Sequence, residues 1–193
     1  KENDIIDIEA ADRPTSVYLV DRVVPMLPEI LSNEICSLKA DVDRLCYSVI
    51  VEMNEKSEII SHKIKKTVIH SDKRFTYQDA QDIIDNKKGV FSEELLILDK
   101  LSKILREKRF STGSINFDRQ EVKFILDKDN NPIDVFFKES ISTNHLIEEF
   151  MLLANKIVAK EIGFVKKGET EKTFVYRVHD KPDDDKINSL SNI

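Results

Sequence analysis

Apolar and polar positions alternate from Leu45 to Met53 (LCYSVIVEM) and, in part, from Glu58 to Ile69 (EIISHKIKKTVI). The polar NEKS between these runs predicts an antiparallel hairpin. VKFIL at 122–126 and IDVFF at 133–137 predict a second hairpin around DKDNNP, where Asp and Asn favour turn conformations and Pro suits a strand edge. Between the hairpins the period changes to that of a helix. Thr76 precedes YQDAQDIIDNKK, its hydroxyl placed to accept from a first-turn amide and Asp79 placed to complete a capping box. Ser92 is assigned the same role ahead of EELLILDKLSKILREKRF, in which Leu95, Leu98, Leu101 and Leu105 form one apolar stripe. A third helix is predicted over about 143–162, burying Ile147, Phe150, Met151, Ala154, Ile157 and Val158 and stopping at Gly163. A short strand is expected at Thr173–Val178. Strands, helices, strands and helix in this order predict an α+β fold, a mostly antiparallel sheet with helices packed against it.

Ahead of these elements, SVYLVDRVVPMLPEILSNEICSL (16–38) begins as an alternating strand that Pro25 and Pro28 end by removing backbone donors. An Asn-Glu turn and an isolated Cys36 follow. In this reading the strand presents Tyr18, and Met26 and Leu27 pack beneath it. At the far end, Asp183, Asp184 and Asp185 suit the acidic start of a helix better than a hard-cation site.

Composition narrows the classes. The 193 residues, 40% hydrophobic and 34% charged, suffice for one sizeable core. The net charge of −6 argues against a surface that binds nucleic acid throughout, though a local basic groove remains compatible with it. Cys36 and Cys46 match no zinc spacing and read as two small buried hydrophobes in a reducing, cytoplasmic protein. No run of eighteen apolar residues offers a membrane span. The chain opens KENDIIDIEAADR without an initiator Met, which suggests an inner piece of a longer protein. The sequence contains no Gly-rich phosphate loop, nucleophile elbow, His-Glu-x-x-His or Cys-x-x-Cys. Its four histidines are scattered, with His62 expected to face solvent. Three rings stand instead in polar settings: Tyr18 in TSVYL, Tyr77 in RFTYQD and Phe117 in GSINFDRQ. Ordinary packing accounts for such rings, and so does stacking on nucleotide bases.

Several separated segments together resemble the catalytic domain of the ribonuclease R and ribonuclease II family, and bacterial ribonuclease R most of all. They are TSVYLVDRVVPMLPEILSNEICSL (15–38), VDRLCYSV (42–49), HSDKRFTYQDAQ (70–81), GSINFDRQEVKFIL (113–126), HLIEEFMLLAN (145–155) and YRVHDKP (176–182). The resemblance implies a processive 3′-to-5′ exoribonuclease that holds single-stranded RNA in a narrow channel and releases nucleoside 5′-monophosphates with magnesium. It implies that Tyr18 and Phe117 clamp the terminal bases, that Tyr77 contacts the 3′-end nucleotide near the scissile phosphate, and that Glu148 contacts the terminal sugar. The family's metal-binding aspartates would lie upstream of Lys1, and its catalytic arginine and RNA-binding barrel downstream of Ile193. Residues 1–193 are therefore expected to be an internal fragment of the catalytic domain, with neither catalytic nor metal-binding residues of its own, monomeric and inactive alone. Pro14 stands where the family usually has Gly, which restricts Arg13. The alternatives are a non-catalytic RNA-binding module and a protein-interaction module.

Overall fold

The computed structural model describes residues 2–13, 15–115, 121–164, 168, 170, 172–175, 178 and 180–191. The chain divides into two compact units, Lys1–Ala154 and Asn155–Ile193.

The first unit begins with a helix absent from the sequence expectations, α1 (Ile5–Asp12), capped by the Asp4 carboxylate on the Ile5 amide. Next, the run that reads as one strand folds back on itself. Strands β1 (Val17–Tyr18) and β2 (Val23–Val24) pair antiparallel, and the Leu19 amide donates to the Arg22 carbonyl at 2.8 Å across a turn at Val20 and Asp21. Strand β1 thus ends at Tyr18, and its partner β2 stops at Val24, directly before Pro25. Pro25 and Pro28 belong to a loop held from both sides. Arg13 donates to the Pro25 carbonyl at 3.2 Å, and the Met26 amide donates to Ser16 Oγ at 3.1 Å. Met26 and Leu27 are half-buried. In place of the expected Asn-Glu turn, Ile30–Ile35 forms a π-helical turn closed by the Cys36 amide on the Leu31 carbonyl. Cys36 is exposed and Cys46 half-buried, so neither is the fully buried hydrophobe expected.

The two large hairpins form where the alternation places them. Strands β3 (Asp43–Met53) and β4 (Ile59–His70) pair antiparallel from Asp43 opposite His70 to Met53 opposite Ile59, with an irregularity at Glu52/Met53. Asn54 Oδ1 accepts from the amides of Lys56 and Glu58, each at 3.0 Å, which sets the turn between them. Strands β5 (Glu121–Leu126) and β6 (Pro132–Lys138) pair likewise, and Pro132 stands at a strand start where no ladder donor is lost. Asp127 fixes that turn by accepting from the amides of Asp129 and Asn131 at 2.9 and 2.8 Å. These bonds, the Asn131 amide's first, hold its carboxyl below the ordinary range. The described strands form three two-stranded antiparallel ladders.

Helix α2 (Tyr77–Asn86) carries the anticipated capping box. Thr76 Oγ1 accepts from the Asp79 amide at 3.1 Å, and the Thr76 amide reaches Asp79 Oδ2 at 3.4 Å. It turns off at Lys87, in the left-handed region, and Gly89 (φ +144) has no room for a side chain, since a Cβ would lie 2.8 Å from Ile83 Cγ1. Helix α3 (Ser92–Ser111) departs from the reading. Its cap is Phe91 in the left-handed region, and Ser92 is the first helical residue without a capping bond. The Phe91 ring meets Phe75 edge-on, 6.4 Å between centroids, so an aromatic contact anchors this helix start.

Helix α4 (Ser142–Val158) passes directly into a π-helical turn, Ala159–Gly163. Its buried face matches the expected one in part: Ile157 is buried and Phe150, Ala154 and Val158 are half-buried, but Ile147 and Met151 are exposed while Leu146 and Glu149 are buried. On α3, Leu101 is buried, but Leu98 is exposed and Asp99 and Ser102 are buried instead. Each of these buried polar groups has a partner within the first unit. Asp99 accepts from Lys103 and Ser142, Ser102 donates to the Asp99 carbonyl, and Glu149 accepts from Arg109. Thr143 donates its hydroxyl to the Tyr77 carbonyl at 2.9 Å and its amide to Gln81 Oε1 at 3.2 Å, tying α4 to α2. Ser57, buried in the β3–β4 turn, donates to the Leu101 carbonyl at 3.0 Å and ties that hairpin to α3. Ion pairs and hydrogen bonds satisfy polar groups that would otherwise be costly to bury. The α+β class holds, with α2, α3 and α4 linked through these polar contacts.

In the second unit, residues 173–175 and 178 carry no strand, and Tyr176 and Arg177 of the expected strand lie outside the described residues. Helix α5 (Asp184–Ser191) begins as the acidic run implies, with Asp183 Oδ1 accepting from the Asp185 amide at 2.9 Å.

Candidate nucleic-acid interface

The segment that leaves β4 and enters α2 builds one wall of a groove of about 840 Å³. Arg74, Phe75, Thr76 and Tyr77 come from this segment, Ala80 from α2, Leu95 from α3, and Thr143, Leu146 and Ile147 from α4. The capping box fixes where α2 begins, and that start decides where Tyr77 stands. Thr143, bonded to the Tyr77 carbonyl, holds the opposite wall against it. The floor is largely apolar, and the ring of Tyr77, 45% exposed, sits at its edge. Lys138 of β6 places its Nζ 5.8 Å from the centroid of that ring. A half-exposed ring with the Lys138 cation over it, in a groove that Arg74 also lines, suits a planar base attached to an anionic backbone.

On α4, one residue past the groove wall, Glu148 faces α3. Its Oε1 accepts from Arg109 Nη2 at 3.0 Å, while Oε2 lies 3.5 Å from both Arg106 Nη1 and His145 Nδ1. Buried Glu149 accepts from Arg109 Nε through both oxygens, at 3.0 and 3.2 Å. Arg109 is held above its ordinary pKa, first by the hydrogen bond to Glu149. Tyr77 is thus bonded through its carbonyl to α4, the helix that carries Glu148.

Tyr18 stands on the β1–β2 hairpin with its ring 79% exposed, and among the described residues no hydrogen bond or ring contact joins it to Tyr77. Phe117 lies outside the described residues, as does Pro14. The arginines around Glu148 and the lysine over Tyr77 were missed by sequence reasoning. A signal existed for Arg74, three residues before Tyr77 in KRFTY, whereas Lys138 and Arg109 reach the site from elements far along the chain.

The described residues give no fit for a divalent-metal centre, since among them no three His, Cys, Asp or Glu side chains converge. No described helix is long and apolar enough to cross a membrane.

A family profile for the RNB domain matches residues 1–193. The chain belongs to the RNB domain family. Over 160 residues it is 46% identical to the exosome complex exonuclease RRP44 of Homo sapiens, covering 81% of this chain and 17% of the relative. It is 38% identical over 191 residues to ribonuclease R 2 of Lactococcus lactis, covering 94% of this chain and 28% of the relative. Among solved structures, Mycoplasma genitalium RNase R in complex with double-stranded RNA superposes with a TM-score of 0.76 at 30% identity, covering 84% of this chain and 30% of that one. This RNB chain thus spans from 17% to 30% of the length of these proteins.

Proposed function

We propose that this RNB chain supplies part of the RNA channel of a processive 3′-to-5′ exoribonuclease that yields nucleoside 5′-monophosphates. The observation that carries the reading is the groove itself: a largely apolar lining that includes Tyr77 and Arg74, with Lys138 over the Tyr77 ring. In this reading Tyr77 contacts the 3′-end nucleotide, Glu148 accepts from the terminal sugar, and Tyr18 and Phe117 clamp the stacked bases. The substrate is single-stranded RNA, and the protein acts as a cytoplasmic monomer. A hydroxyl reader at the terminal sugar would select RNA, because the 2′-OH is what distinguishes it from DNA at one position.

Magnesium, which in this reading activates water and steadies the leaving oxygen, would be held by aspartates outside residues 1–193. The described residues do not fit that centre, so the role assigned to this chain is to bind and orient RNA, and the chain alone is inactive.

Binding of a single-stranded oligoribonucleotide to the full-length protein, measured at two salt concentrations after chelation of divalent ions, tests the reading. Affinity falls as salt rises, since phosphates are contacted. Tyr77→Ala weakens binding by about 1–3 kcal/mol, the worth of one stacked base, while Tyr77→Phe retains most of it. Salt-independent affinity, or an Ala variant that binds like the parent, overturns the assignment.

A further inference from the structure

Glu148 and Glu149 are adjacent carboxylates in different surroundings. Glu149 is 3% exposed and Glu148 45% exposed, and Arg109 bridges the two. Its Nε faces Glu149 while Nη2 reaches Glu148 Oε1, so one rigid fork fixes the outer carboxylate relative to the inner one. Arg106, one turn earlier on α3, approaches Glu148 Oε2 at 3.5 Å and Glu149 Oε1 at 3.7 Å. Both guanidinium carbons lie over the Phe110 ring, at 4.8 and 4.9 Å from its centroid, which restricts how either fork can turn. A carboxylate offers about four lone-pair sites. With Arg109 on Oε1 and Arg106 and His145 Nδ1 near Oε2, each of the latter at 3.5 Å, Glu148 still retains acceptor capacity on its exposed side.

We propose that Arg109, supported by Arg106, is a positioning residue that holds the Glu148 carboxylate in the orientation that accepts the 2′-hydroxyl of a terminal ribose. The proposal rests on the reading of Glu148 as the contact to the terminal sugar. Without the fork, an exposed glutamate on a helix samples several rotamers and its acceptor has no fixed direction. Lysine at 109 preserves the charge beside Glu149 but offers a compact point charge in place of a rigid planar fork spanning two carboxylates.

The test uses the full-length protein with divalent ions chelated and two RNA oligomers that differ only in a 2′-deoxy sugar at the 3′ end. The parent prefers the ribose-ended oligomer by about tenfold or more, the scale of one hydrogen bond to a charged group. Glu148→Ala abolishes that preference. Arg109→Lys removes most of it and leaves affinity for the deoxy-ended oligomer unchanged. Because Arg109 also pairs with buried Glu149, melting of each variant is followed, and Arg106→Gln, which leaves that pair in place, serves as the second variant. It loses part of the preference with a smaller fall in melting temperature than a change at Arg109 brings, and it decides the matter if Arg109→Lys does not fold. A wild-type preference in the arginine variants, or equal weakening toward both oligomers, overturns the positioning role while leaving the assignment of Glu148 intact. A preference that survives Glu148→Ala overturns both.

Discussion

Thr76 shows how one side chain sets the geometry of the groove. Its hydroxyl and the Asp79 carboxylate satisfy each other's backbone amides, and the next residue is Tyr77. Thr76→Ala leaves the Asp79 amide without its partner and is expected to cost about 1 kcal/mol, read as a lower melting temperature, with Thr76→Ser restoring most of the loss. An alanine variant that melts with the parent would show that the cap contributes nothing. His70, where β4 feeds the groove segment, supplies a pH-dependent contact. Its Nδ1 lies 2.7 Å from Asp43 Oδ1, and its pKa is raised, first by that hydrogen bond and further by the charges of Asp43, Asp72 and Asp41. A raised folded-state pKa means that the contribution is fully present below the ordinary histidine value and is lost as pH climbs through the raised one. Melting temperature should therefore fall between about pH 6 and pH 8, by a small amount because both groups are exposed. His70→Gln should remove that component. If the two proteins share one pH profile, the contact has no linkage to folding.

At the scale of elements, α3 and α4 are joined by a largely buried pair of charges, Arg109 and Glu149. Arg109 and Glu149 are 16% and 3% exposed, so removing either leaves the other in a poorly solvated place. Arg109→Ala is expected to destabilise by about 3–5 kcal/mol. A double change, Arg109→Met with Glu149→Leu, should recover most of it, because an apolar pair of similar volume needs no counter-charge. Denaturant unfolding of the three proteins checks this, and a double variant no better than the single one would show that the cost lies elsewhere. The same pair explains which features could be read in advance. The β3–β4 and β5–β6 hairpins and the Thr76 box rest on neighbouring residues, so their patterns reveal them. Leu98, Ile147 and Met151 were counted as core by periodicity, yet they are exposed, while Asp99 and Glu149 are buried. Their partners include Ser142 and Arg109 on another helix, some forty residues away, 43 and 40 positions respectively. The β1–β2 hairpin was misread for a different reason: its turn at Val20 and Asp21 carries neither Gly nor Asn to mark the reversal. In the groove, Tyr77 was legible as a ring in a polar setting, whereas Lys138 comes from β6 without a local signal.

For the whole molecule, the question is how much of the chemistry residues 1–193 can perform. The chain spans from 17% to 30% of the length of the exonuclease and ribonuclease relatives described above. Its described residues offer a groove lined by Tyr77 and Arg74, with Lys138 over the Tyr77 ring, but no convergent set of metal-binding side chains. In-line attack on a phosphodiester in a two-metal site needs both the attacking and leaving oxygens stabilised by cations about 4 Å apart. Lysine and arginine can hold phosphates without supplying that clamp. Purified residues 1–193, incubated with a labelled poly(A) oligomer and magnesium, should therefore release no nucleotide, while the full-length protein degrades the same oligomer from its 3′ end. Release of mononucleotides by the isolated chain, abolished by chelation, would place a metal centre within these residues and overturn the division of labour proposed. Loss of the full-length protein's activity on Tyr77→Ala, with its magnesium requirement unchanged, would tie the groove to substrate holding in particular.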